Sequence, residues 1–285
     1  MSTHDTSTAR TQPESTLLQI ADVNVFYPTP GWRRPPFQAL HDVSLDVRAR
    51  ETVGLVGESG SGKTTLGRAV LGLATVDSGT VSFDGRDITH ASRRERRRLS
   101  RDIQVVFQDP YSSLNPAMTI SAILAEPITA QGSTREEAGA RITTLLRQIG
   151  LEAEAGGRYP REFSGGQRQR IAIARALALE PRLIVCDEPV SALDLSTQAQ
   201  ILDLLIDIQV RTGVAYLFIS HDLSVVRYIS HRVAVMLDGR ILESGDGEVV
   251  TSTPEHEYTK RLLLASPIPD PVRQARRRRE YAELL

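Results

Sequence analysis

Gly57-Glu58-Ser59-Gly60-Ser61-Gly62-Lys63-Thr64 is the stretch that decides how this chain folds. It has the form G-x-x-x-x-G-K-[ST], with the short apolar run Thr52 to Val56 ahead of it and the helical stretch Thr65 to Leu73 behind it. Strand, glycine-rich turn and helix in that order make an anion cradle. Glycines let the backbone curl until successive N–H groups point at a phosphate, and the helix N-terminus adds positive potential. Lys63 then reaches the β- and γ-phosphates, and the Thr64 hydroxyl ligates Mg²⁺, with Thr65 beside it. The start Gly57-Glu58-Ser59 also begins like the nucleophile elbow of a serine hydrolase, but Ser61 stands where that motif needs glycine, and the hydrolase reading fails.

Outward from the octet, Leu17 to Tyr27 reads as a strand, and Pro28, Pro30, Gly31, Pro35 and Pro36 then break regular structure. Val43 to Val47 alternates apolar and polar residues as a half-buried edge strand does. Gly79 to Ile88 carries Asp84-Gly85 between strand-like flanks, a hairpin signal, and Asp102 to Gln108 is another apolar strand. From Tyr111 to Phe163 the character changes to helix and loop. Ser133 and Glu136 form a capping-box pattern there, ahead of Ile142, Leu145, Leu146 and Ile149 on one helix face. Gln167 to Leu179 reads as a helix. Thr197 to Thr212 reads as another, with a stripe of Ile201, Leu204, Leu205 and Ile208 and a stop at Gly213. Val214 to Ser220 fits a central strand, and Val233 to Leu242 a hairpin turning at Asp238-Gly239. Strands and helices in this order predict an α/β core with an inserted helical subdomain.

Leu183-Ile184-Val185-Cys186-Asp187-Glu188 is a buried-type strand ending in two adjacent carboxylates. Standing alone, the pair is equally well a solvated turn before Pro189. Beside a phosphate loop, Asp187 becomes a candidate Mg²⁺ partner and Glu188 a candidate to polarise an attacking water. Neighbours at a strand end can point different ways, one to metal and one to water. Cys186 reads as inert strand filler.

Composition narrows the classes. With 34 Lys+Arg against 35 Asp+Glu among 285 residues, the chain lacks the basic excess of a dedicated duplex-DNA binder, so no nucleic-acid partner is expected. One cysteine excludes an internal disulfide and any cysteine-rich zinc or iron–sulfur site. No stretch approaches the roughly 18 apolar residues that cross a bilayer, and Met1 to Thr16 is polar, Ser/Thr-rich and without a signal-peptide core. Residues 1–16 are therefore expected to be a disordered tail, and work at a membrane would need a partner. The runs Arg93-Arg94-Glu95-Arg96-Arg97-Arg98 and Arg276 to Arg279 read as solvated faces or a disordered end, with anionic-lipid contact as the sharper alternative.

Phe163-Ser164-Gly165-Gly166-Gln167, opening a helix, resembles the signature motif of ABC ATPases, with Phe163 in the place usually held by leucine. In the same order, Gln108 resembles the Q-loop glutamine, which the family uses to sense Mg²⁺ and to contact the transport partner. Ser191-Ala192-Leu193-Asp194 resembles the D-loop, and His221 the switch histidine that contacts the γ-phosphate. Tyr27 aligns with the aromatic that stacks on adenine, with Phe26 and Trp32 as neighbours in contention. The resemblance narrows to the dipeptide/oligopeptide importer ATPases. It does so through Gln108-Asp109-Pro110, Ser113-Leu114-Asn115-Pro116, Tyr159-Pro160 and the tail motif His256-Glu257-Tyr258-Thr259, where Glu257 replaces the usual proline.

The resemblance implies a P-loop NTPase core of the RecA-like kind with an antiparallel β subdomain and an inserted α-helical subdomain at about 110–165. It places the ATPase domain at 17–255 and an importer-type extension with a basic tail at 256–285. Implied too are ATP and Mg²⁺ as ligands, with Thr64, Gln108 and Asp187 at the metal and Glu188, His221 and Lys63 in catalysis. Nucleotide would be bound by Gly57 to Thr65 of one subunit and closed over by Ser164, Gly165, Gly166 and Gln167 of a second ABC ATPase, a paralogue rather than a copy. Further implied partners are two transmembrane permease subunits and a solute-binding protein, at the cytoplasmic face of the cell membrane. The alternatives are a non-transport ABC ATPase and a nucleotide-gated regulator that does not turn ATP over. The solute is left open.

Overall fold

The computed structural model describes residues 15–29, 31, 34–109 and 113–265. The polar start, Trp32, Pro110 to Ser112 and the Pro- and Arg-rich end lie outside the described residues.

Among the described residues, ten strands form two sheets. A four-stranded antiparallel sheet runs β2 (Phe37–Arg48), β1 (Thr16–Tyr27), β4 (Ser78–Phe83), β5 (Arg86–Asp87). A six-stranded sheet runs β10 (Arg240–Asp246), β9 (Arg232–Leu237), β3 (Thr52–Val56), β8 (Ala215–Ser220), β7 (Leu183–Asp187), β6 (Ile103–Val106). Within it β9, β3, β8, β7 and β6 are parallel and β10 alone is antiparallel. A parallel strand buried on both faces needs apolar residues at every position, and the six residues of β8 are all buried.

Alternation along the strands feeds two separate cores. Val53, Leu55, Leu183, Val185, Leu217 and Ile219 face the four-stranded sheet and α1 (Lys63–Leu71). Val56, Ile184, Cys186, Tyr216 and Phe218 face the other way. There they meet α5 (Gly165–Leu177), α6 (Leu195–Thr212) and α7 (Leu223–Ile229), and the helical region joins the same core through α3 (Ile120–Ala130) and α4 (Arg135–Gln148). Arg232 of β9 reaches Asp46 of β2 through two bonds of 3.0 and 3.2 Å and the buried Glu51 at 3.5 Å, fastening one sheet to the other. That guanidinium holds the Asp46 carboxyl below the usual carboxylate range.

Four local expectations shift. The box ahead of α4 is Thr134 with Glu137, not Ser133 with Glu136. A β-branched threonine is held more cheaply at the extended cap than inside the first turn, which decides between two overlapping boxes. On α6 the fully buried stripe is Ile201, Leu202, Leu205 and Ile208, and Leu204 is only half-buried. The strand before Gln108 ends at Val106, because its partner β7 offers pairing only as far as Cys186 there; Phe107 and Gln108 lie exposed beyond it. Among the arginines of α2 (Arg93–Leu99), Arg96 is half-buried rather than exposed. It turns inward to donate to the carbonyls of Val70 and Ile88.

Candidate nucleotide site

Sheet register places the site. Val56 lies beside Ser220, Asp187 beside Ile219 and Val106 beside Cys186, so the segments after β3, β6, β7 and β8 all leave from one edge. The carboxyl ends of parallel strands are where such sheets bind ligands. Gly57 to Gly62, Gln108, Glu188 and His221 occupy those four exits.

The octet folds as a loop closing onto α1. Gly62 caps the helix with φ of 106°, a left-handed backbone. Gly57 is needed for a different reason: a Cβ there would run into the carbonyl oxygen of Met236 in β9. Gly57 and Ser61 are buried, while Glu58, Ser59 and Gly60 are exposed. Lys63 is only 4% exposed, and its ammonium donates to the carbonyls of Gly57 (2.8 Å) and Glu58 (2.7 Å) and to Ser61 Oγ (3.3 Å). Burial pushes its pKa down, opposed by the carboxylates of Glu188, Asp187 and Glu58. Thr65 sits half-buried in the first turn of α1.

The two adjacent carboxylates diverge. Asp187 accepts the Thr64 hydroxyl at 3.0 Å, while Glu188 lies 3.1 Å from His221 Nδ1. The divergence comes from the backbone, since Glu188 has φ of 49°. That left-handed conformation costs a non-glycine residue about 1–3 kcal/mol. It is held by Glu188 N–H donating to Ile219 O (3.0 Å) and by Ser191 Oγ donating to Glu188 O (3.1 Å). Burial pushes the Asp187 carboxyl above the usual carboxylate range; the Thr64 bond opposes this and the Glu188 charge adds to it.

A half-buried carboxylate whose burial outweighs the nearby Arg68 and Lys63 charges, beside a threonine hydroxyl, suits a hard divalent cation. No group of three or more His, Cys, Asp or Glu among the described residues makes a metal cage. The residues therefore fit Mg²⁺ held largely by phosphate oxygens and water rather than a resident structural metal.

The signature turn is built as a capped helix start. Ser164 Oγ accepts Gln167 N–H at 3.3 Å, and Gln167 Oε1 accepts Ser164 N–H at 3.0 Å. Phe163 is buried under the Arg158 guanidinium, 4.3 Å from its ring centre, so the apolar first position is filled as leucine would fill it. The turn packs on the segment from Leu193 to Thr197. A Cβ on Gly166 would strike Thr197, whereas on Gly165 it would meet only Leu193 at 3.6 Å. Asp194 caps α6 through Thr197 N–H (3.0 Å), and the hydroxyls of Ser196 and Thr197 hold its carboxyl far below the usual range.

Of the residues expected at the site, Lys63, Thr64, Asp187, Glu188 and His221 are joined by hydrogen bonds or share the sheet edge. Gln108 is at the edge but exposed. Tyr27 ends β1 half-buried against the core that contains Leu66 and Val70, while Phe26 is 39% exposed. One contact had no sequence signal: Tyr258 of α9 (Glu257–Ala265), which follows the short α8 (Gly247–Ser252), touches Glu58, 200 residues away in the chain.

Fold and loop together define a P-loop nucleotide-binding protein. The family described as ABC transporter matches residues 40–191. The oligopeptide transport ATP-binding protein OppD of Mycobacterium bovis, like that of Mycobacterium tuberculosis, is 52% identical over 237 residues, 83% of this chain and 39% of the relative. The probable peptide ABC transporter ATP-binding protein y4tS of Sinorhizobium fredii is 49% identical over 262 residues, 90% of this chain and 74% of the relative. A solved dimeric, post-hydrolysis structure of the ATP-binding cassette MJ0796 bound to ADP and Pi superposes with a TM-score of 0.72. It is 29% identical and spans 81% of this chain and 98% of that one. The chain belongs to the ABC transporter family. It spans about two fifths of the length of the two mycobacterial relatives.

Proposed function

We propose that this chain binds and hydrolyses ATP to power import of peptides or a similar small solute through partner membrane subunits. The convergence of Lys63, Asp187, Glu188 and His221 at one sheet edge carries the reading. The peptide-transport names of relatives at about half identity support the solute class.

In this reading residues 17–255 form the ATPase unit, with about 110–165 as its helical part and 256–285 as an extension. Lys63 moves from the Gly57 and Glu58 carbonyls onto the β- and γ-phosphates, and the loop N–H groups take the remaining oxygens. Tyr27 stacks on adenine. Mg²⁺, placed by Thr64 and Asp187 with Gln108 nearby, supplies charge neutralisation at the phosphates. Glu188 accepts a hydrogen bond from the attacking water and orients it in line, and His221 holds Glu188 and reaches the γ-phosphate. Ser164 to Gln167 of a second cassette, a paralogue, closes the pocket; that the related cassette MJ0796 is dimeric supports pairing of two cassettes.

No helix among the described residues is long and apolar enough to cross a membrane. On the transport names of the relatives, we assign the membrane path to two permease subunits and the capture of solute to a binding protein, with this chain on the cytoplasmic face. Anionic lipid is a further candidate contact for the exposed Arg93, Arg94, Arg97 and Arg98.

The test uses the assembled transporter. Lys63→Ala should abolish ATP binding at this chain's loop and solute uptake. Glu188→Gln should keep ATP binding while hydrolysis falls about 10²–10⁴-fold. Wild-type hydrolysis by Glu188→Gln would refute the role given to Glu188. A wild-type complex that binds ATP without turning it over would favour the regulator.

A further inference from the structure

The start of helix α9 reaches back to the phosphate loop. The Tyr258 side chain is 4% exposed, and its phenol oxygen accepts the Glu58 N–H at 3.2 Å. That N–H belongs to the peptide unit joining Gly57 to Glu58. The carbonyl of the same unit, Gly57 O, accepts the Lys63 ammonium at 2.8 Å. A trans peptide is a rigid plate with its N–H and C=O on opposite edges. One plate is thus held from both sides, by Tyr258 at the outer edge and Lys63 at the inner, and it cannot rotate without breaking both bonds.

Tyr258 is itself fixed. Its backbone N–H donates to His256 Nδ1 at 3.1 Å, and Glu243 of β10 accepts the N–H groups of Glu255 (2.8 Å) and His256 (3.2 Å). The tyrosine therefore stands on a segment clamped to the sheet rather than on a loose end. Burial raises its pKa, the bond from the Glu58 N–H opposes the rise and the Glu58 carboxylate adds to it, so the phenol stays protonated across the physiological range.

We infer that Tyr258 is a positioning residue for the nucleotide site: its hydroxyl holds the Gly57–Glu58 peptide with the carbonyl towards Lys63. That plate sets where the ammonium stands before a phosphate arrives, and it resists the peptide flip that would turn a carbonyl dipole towards the phosphate. The inference rests on the reading of this loop as an ATP site. It gives the His256-Glu257-Tyr258-Thr259 segment a task inside the catalytic unit.

Tyr258→Phe keeps the buried ring and removes only the oxygen. In the nucleotide-free full chain, hydrogen exchange at the Glu58 amide should accelerate. In the assembled transporter KM for ATP should rise about three- to tenfold with kcat held within about twofold, the pattern of lost uniform binding. Tyr258→Leu should add a loss of thermal stability to the same KM shift. A silent Tyr258→Phe beside a defective Tyr258→Leu would assign the effect to ring packing and overturn the inference, as would a Tyr258→Phe that lowers kcat alone. If the wild-type chain bound no ATP, the loop reading would fall and take this inference with it. If it bound and Tyr258→Phe matched it, only this inference would fall.

Discussion

At the scale of single residues, the site is held under tension between burial and charge. Lys63 is almost wholly enclosed and Asp187 half so, and burial disfavours the charged form of each. An ionised Asp187 with a raised pKa costs the nucleotide-free fold stability at neutral pH; the cost vanishes as the pH falls below its ordinary value near 3.8. Asp187→Asn keeps an oxygen for the Thr64 hydroxyl and removes the charge. It should raise the melting temperature of the nucleotide-free chain by about 1–3 °C at pH 7 and have no effect near pH 3. Mg²⁺-dependent hydrolysis should be lost in the same variant. Scanning calorimetry at the two pH values checks the first part, and a lower melting temperature at pH 7 would contradict the assignment of burial as the dominant cause. Lys63, Thr64, Asp187 and Glu188 stood out because they sit in short local patterns, whereas Gln108, His221 and Tyr27 rested on the family resemblance. The left-handed backbone of Glu188 was not, since nothing in Cys186-Asp187-Glu188-Pro189 marks φ; the hydrogen bonds to Ile219 and Ser191 that hold it come from the finished fold.

At the scale of elements, strands of the parallel sheet were read to within two residues. Their apolar runs are set by burial on both faces, which leaves little latitude. Helix starts were read less well, because overlapping caps such as Ser133/Glu136 and Thr134/Glu137 differ only by local energetics. The signature turn shows that one motif can mix two duties. Gly166 is a packing residue, since its side of the helix start presses on Thr197 at the head of α6, whereas Gly165 has room for a methyl group. Gly166→Ala should therefore lower both stability, by about 1–3 kcal/mol, and activity. Gly165→Ala should leave the melting temperature within about a degree and reduce only ATP-dependent pairing and turnover. Denaturant unfolding of the two variants separates them, and equal stability losses would mean that neither glycine faces a ligand.

At the scale of the whole molecule, the chain carries one phosphate loop and one signature turn, and they are fastened to different things. The loop is tied to the sheet edge through Lys63, Thr64 and Asp187, and the signature turn to the head of α6 through Gly166 and Thr197. In the function proposed above, a γ-phosphate seated on the first meets the signature turn of a second cassette, so that each pocket is shared between two cassettes. Nucleotide binding and pairing then depend on different residues and can be separated. In a Glu188→Gln background, ATP should drive the chain into a complex with its partner cassette, visible by light scattering. Adding Ser164→Arg should leave ATP affinity at the intact loop within about twofold, yet reduce pairing at least about tenfold, because the partner's phosphate then faces a blocked cap. Equal pairing by the double variant, or turnover per chain that is constant over a hundredfold dilution of a strictly monomeric sample, would show that one chain closes its own pocket.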